Sequence, residues 1–206
     1  MRKPITGTAL TALITVPPGI FAAHAHPGHD LMDVPHDPGF FTGFLHPLGG
    51  IDHLLAMVTV GILAWQLGGR ALWLVPGTFL AAMAAGGAVG IMGITLPASE
   101  AWIVASVVGL GALVALGWKA PVAAAMAVTG LFGLFHGHAH GVEMPADMSA
   151  FGYAAGFLAA TALLHGLGLG IGFAAARLGR NHDQIGYRLS GGAVSLAGLM
   201  LAVGWL

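Results

Sequence analysis

Phe44-Leu45-His46-Pro47-Leu48-Gly49-Gly50-Ile51-Asp52-His53-Leu54-Leu55-Ala56-Met57 sets two histidines and an aspartate at the head of a long apolar run. Pro47 and the Gly49-Gly50 pair are poor helix formers, so this stretch predicts a bent or partly unwound backbone. In a bilayer such backbone persists only where protein buries it or where it lines a wet cavity. Ionisable groups at such a break point to a functional site. The stretch therefore reads as the metal-binding mouth of a membrane-embedded helical protein.

The rest of the chain agrees with that class. Of 206 residues, 57% are hydrophobic and 7% charged, against about 25% charged in soluble domains. Several apolar runs approach the ~20 residues that span a bilayer. The prediction is an all-α membrane protein, a bundle of six transmembrane helices after a cleaved signal peptide. Spans are expected near 50–66, 72–94, 100–117, 121–138, 150–176 and 189–206, with a polar loop at 177–188. Glycines four apart, as in Gly86/Gly90, Gly133/Gly137, Gly152/Gly156, Gly166/Gly170 and Gly168/Gly172, predict close Gly/Ala-rich helix packing. There is no cysteine, which excludes disulfides and thiolate metal sites. No basic patch suggests nucleic acid.

Residues 1–25 read as a signal peptide: Arg2-Lys3, a short apolar run broken by Pro17-Pro18-Gly19, and an Ala23-His24-Ala25 cleavage signal. Residues 26–41 form a periplasmic His/Asp-rich segment in which His26, His29 and His36 accompany Asp30, Asp33 and Asp37. It could gather divalent cations loosely, or be a solvated acidic linker. Residues 42–206 make the six-helix membrane domain. With an outer N-terminus, Arg70, Lys119, Arg177, Arg180 and Arg188 all fall on the cytoplasmic side, as the positive-inside rule requires. Most acids fall on the outer face, where they would concentrate cations. The expected location is the bacterial inner membrane, with mature N- and C-termini both periplasmic.

Two constellations carry the chemistry. On a continuous helix His46 and His53 would lie roughly 10 Å apart along the axis, too far for one ion with bonds of about 2 Å. Either the Pro-Gly break folds the segment back, or the two residues serve successive sites. Asp52 is a ligand or the acceptor that fixes a histidine tautomer. In the second, Leu134-Phe135-His136-Gly137-His138-Ala139-His140-Gly141-Val142-Glu143, His136, His140 and Glu143 follow helical spacing. His138 points elsewhere unless the glycines unwind the helix. Imidazole with carboxylate suits nickel, cobalt, copper or zinc. By topology both constellations lie at the outer surface and can converge. His165, inside the fifth span, is a deeper relay or a hydrogen-bonded core histidine. Met57, Met83, Met92 and Met126 read as packing or as soft ligands.

The His46…Asp52-His53 pattern within HPLGGIDHLLAMVTVG, together with the second His-rich stretch, resembles the signature of the HupE/UreJ family of nickel/cobalt permeases. The resemblance covers nearly the whole chain. It implies uptake of nickel or cobalt ions, a functional acid near Glu100 and a functional aromatic at the position of Phe79. Read alone, Glu100 is a helix-dipole partner and Phe79 a core or lipid-facing ring.

The leading function is a permease admitting Ni2+ or Co2+, with Zn2+ suiting the same ligands, and with no catalytic cofactor. No phosphate-binding loop for ATP is present. Two alternatives stand beside it: a membrane-embedded zinc hydrolase, against which no HExxH motif occurs, and a metal sensor or chaperone subunit without flux. Expected partners are the lipid bilayer and the divalent ion, with a homo-oligomer or a downstream metallochaperone left open.

Overall fold

The computed structural model describes residues 38–177 and 180–205. The leader and the tail histidines His26, His29 and His36 lie outside the described residues. All regular structure among the described residues is helical: α1 (Pro38–Gly49), α2 (Ile51–Leu67), α3 (Ala71–Ile91), α4 (Ser99–Ala115), α5 (Val122–Val142), α6 (Ala150–Arg177) and α7 (Arg180–Ala202).

Four stretches are long and apolar enough to cross a membrane: α3, α5, α6 and Ile185–Ala202 of α7. The α1–α2 pair makes a fifth if the two count as one broken span, bent by 86°. The apolar α4 has 17 residues, about 26 Å at ~1.5 Å per residue.

Glycine decides which helices touch. A Cβ on Gly137 would overlap the Met83 carbonyl, one on Gly86 the Leu134 carbonyl, and one on Gly141 the Gly87 carbonyl. Helix α5 therefore lies on α3 backbone to backbone. Gly43 and Gly156 do the same for α1 on α6, Gly61 and Gly168 for α2 on α6, and Gly111 and Gly191 for α4 on α7. Of the glycine pairs four apart, Gly166 and Gly170 have nothing within 4 Å of a built Cβ, so that pair makes no helix contact among the described residues.

Several boundaries differ from the sequence reading. The break falls at Gly50, while Pro47 is tolerated in the last turn of α1, and α1 takes in residues 38–41, expected to belong to the segment before the membrane domain. Helix α5 continues a turn past His138 to Val142. The close contact with α3 that Gly137 and Gly141 permit outweighs their low helix propensity. The expected polar loop at 177–188 is largely the first part of α7. Tyr187 pins that part to α6, its hydroxyl donating to the Gly172 carbonyl at 3.1 Å.

From α2 onward consecutive helices reverse direction and sort the charges. Gln66 Nε2 donates to the Val114 carbonyl at 3.1 Å, tying the C-terminal ends of α2 and α4. Trp65 packs edge-on to Phe173, adding the end of α6. Arg70 and Lys119 follow the first two of those ends, and Arg177 closes the third. Asp52, Glu100 and Glu143 belong to the opposite end.

Candidate metal site

The 86° bend at Gly50 lets the last turn of α1 and the first turn of α2 face the same ring on α5. His46 lies 4.9 Å from His140, centroid to centroid, and His53 lies 4.7 Å from it. Folding back thus gives the two histidines a shared neighbour. His53 also meets His136, one turn below His140, at 4.7 Å. Phe157 of α6 stacks on His140 at 5.2 Å and 21°. Four imidazoles from three helices therefore form one row, fully buried at His136 and His140 and partly exposed at His53 and His46.

Hydrogen bonds around the row set which nitrogens are bare. The Ser106 hydroxyl has one proton, and it goes to the Ile103 carbonyl at 2.6 Å. The same oxygen must then accept from His136 Nε2–H at 2.8 Å. His136 Nδ1 is left with its lone pair, buried and without a protein partner. Asp52 Oδ1 accepts from His53 Nδ1–H at 2.7 Å and from the His53 backbone N–H at 2.7 Å. That leaves His53 Nε2 bare and buried, and both nitrogens of His140 are likewise unpartnered. Buried nitrogens without partners are costly, and bare imidazole lone pairs are what a transition-metal ion requires. Asp52 thus occupies the tautomer-fixing position. Gly50 makes room for it, since a Cβ there would come within 2.7 Å of Asp52 Oδ1.

The outer end of the row carries the carboxylate. His46 Nε2 donates to Glu143 Oε2 at 2.8 Å. His46, His140 and Glu143 offer ligand atoms all within 4.8 Å of one another. An ion with bonds of 2.0–2.2 Å holds its ligand atoms up to about 4.4 Å apart, so small side-chain rotations would close the three around it. Glu143 is exposed and His140 buried, so the group leads from solvent into the bundle.

The remaining candidates divide. Glu100 is exposed on the first turn of α4, within electrostatic reach of Glu143, Asp52 and His53, but outside the three-ligand group. Phe79 is fully buried between His136, at 5.6 Å, and His165, at 5.1 Å. His165 is buried with both nitrogens unpartnered. His138 does not join the row. Its Nε2 lies 2.8 Å from the Ile94 carbonyl oxygen and 3.2 Å from the Leu96 backbone nitrogen, and its Nδ1 lies 3.0 Å from the Ser99 hydroxyl, so it ties down the connection between α3 and α4. Helical phase separates it from His136 and His140.

Sequence reasoning missed Ser106 and Tyr153. Tyr153 is fully buried, its ring 5.8 Å from His46 and its hydroxyl unpartnered. Each is an isolated polar residue in an apolar run, with no spacing that marks it out.

The HupE / UreJ protein family model matches residues 13–201. "Protein HupE" of Rhizobium leguminosarum bv. viciae is 50% identical over 182 residues, covering 88% of this chain and 91% of that protein. No solved structure matches. With the family model spanning most of its length and a relative at half identity over nearly all of it, the chain belongs to the HupE/UreJ family.

Proposed function

We propose that this protein is a permease that takes up divalent transition-metal ions, nickel or cobalt, from the periplasm. The observation that carries the reading is the row of bare imidazole nitrogens running inward from exposed Glu143. His46, His140 and Glu143 receive the ion, and His140, His53 and His136 pass it on. Asp52 and Ser106 hold tautomers, and Glu100 adds negative charge at the mouth. Neighbouring weak sites that share a ligand let an ion enter and leave, as conduction requires. A hydrolase would instead need one fixed metal site with an open position for the water it activates.

The proposed topology has six spans in the bacterial inner membrane. Helix α2, with α1 folded onto its outer end, is the first and α4 is the third. A cleaved leader at 1–25 and a His/Asp-rich tail whose His26, His29 and His36 gather cations complete the chain, with both mature termini periplasmic. Zn2+ suits the same ligands, and no catalytic cofactor is needed. Delivery to a metallochaperone and assembly as a homo-oligomer are compatible with this topology.

The test is nickel accumulation by cells producing the protein at scarce external nickel. His53→Ala and His140→Ala should abolish it while both variants reach the membrane in normal amount. Undiminished accumulation in both would refute the site.

A further inference from the structure

Alongside the histidine row and below it, α6 presents Tyr153, Phe157, Thr161 and His165 at four-residue intervals, all buried. Thr161 is one turn further in than Phe157, the ring stacked on His140, and His165 is one turn beyond that. The Thr161 hydroxyl donates to the Phe157 carbonyl at 2.8 Å. The same oxygen lies 3.3 Å from Met57 Sδ and 3.7 Å from Met83 Sδ. A hydroxyl has one proton, and three acceptors surround this one. At least two sets of lone pairs therefore face each other with no hydrogen between them. Both methionines are fully buried, on α2 one turn below His53 and on α3 one turn from Phe79. His165 lies against Phe79 at 5.1 Å, with neither nitrogen partnered.

Methionine in an apolar core is ordinarily packing. Here two thioethers from different helices turn to the same oxygen, beside a buried histidine that lacks any hydrogen bond. The result is a concentration of electron pairs with too few donors to match them, which a cation would satisfy.

We propose that Met57, Met83, Thr161 and His165 form a second, inner cation subsite, selective for borderline and soft transition-metal ions. This rests on the permease reading for its place on the path, though not for its chemistry. The subsite is neutral and contains no carboxylate. Thioether and imidazole bind nickel, cobalt or copper(I) in preference to magnesium, calcium or manganese. A hard ion captured by Glu143 and the outer acids would find no replacement there for its water shell. Selectivity therefore arises at the sulfur step and attraction at the mouth. With no charge to hold the ion, release inward remains easy.

The test exploits the absence of cysteine: any sulfur next to a bound metal must come from methionine. The purified protein is loaded with excess nickel ions and the nickel X-ray absorption fine structure is recorded. Influx of nickel into proteoliposomes is followed in parallel. The variants are Met57→Leu/Met83→Leu, which keeps apolar bulk, His165→Gln, and exposed Met92→Leu as a control. The expected result is a sulfur neighbour in wild type and Met92→Leu that is lost in the double variant. Influx should fall at least about tenfold in the double variant and in His165→Gln, the scale set by losing a metal contact. A spectrum without sulfur in the wild type, or, where the wild type does pass nickel, double-variant influx within twofold of it, overturns the subsite. A sulfur signal that depends on Met57 and Met83 in a wild type that passes no nickel would uphold the subsite and remove the permease reading.

Discussion

Replacing Asp52 by asparagine and by alanine separates the two roles open to this carboxylate. In the structure Asp52 Oδ1 accepts the His53 Nδ1–H at 2.7 Å, which leaves His53 Nε2 bare. An asparagine carbonyl can accept the same proton. It gives up only the charge, a change from ~2 to ~1 kcal/mol for the hydrogen bond. At about 1.4 kcal/mol per decade, Asp52→Asn should weaken nickel binding roughly fivefold. Alanine removes the acceptor and frees the His53 ring and its tautomer. Losses of this kind run about 10–100-fold, or ~1.4–2.7 kcal/mol. Calorimetric titration of nickel into the purified protein in nanodiscs measures both, and thermal melting checks that each variant folds. If Asp52 instead binds the ion directly, both substitutions remove a charged ligand and should be comparably severe. Equal losses in asparagine and alanine would refute the tautomer argument.

Other expectations follow from the same geometry. Ser106→Ala removes the acceptor of His136 Nε2–H and should lower nickel affinity about 10–100-fold with little change in expression, as read by the same titration. His138→Ala should lower the melting temperature by loosening the α3–α4 connection, yet leave nickel affinity within about threefold, because its nitrogens are engaged by Ile94 and Ser99. Gly137→Ala drives a Cβ into the Met83 carbonyl, whereas Gly166→Ala meets nothing. The first should cost about 1–3 kcal/mol or more, and the second should cost nothing or raise stability by up to about 1 kcal/mol through helix propensity, seen as melting temperatures in detergent.

Much of this molecule could be read from its residues, because a bilayer leaves few options. Apolar runs near span length become helices, and the placement of Arg70, Lys119 and Arg177 sorts the two ends. The break at Gly50 was legible in Pro47-Leu48-Gly49-Gly50, though a sequence cannot say which of these residues turns the chain. Helical phase correctly set His138 apart from His136 and His140. What stayed hidden depends on neighbours from other helices. Ser106 matters because α4 brings it to His136, and Met57 and Met83 become a pair only where α2 and α3 meet Thr161. The helical start of α7 was hidden for another reason: a run of polar residues carries the same composition whether it is a loop or a helix pinned by Tyr187.

The most direct measurement is the initial rate of nickel influx into liposomes holding the purified protein, beside liposomes holding His140→Ala. His140 touches both His46 and His53, so it is the residue that the proposed path turns on. The account predicts influx well above that of protein-free liposomes for the wild type and none above them for the variant. Wild-type influx no faster than in protein-free liposomes, or equal influx through His140→Ala, would contradict it.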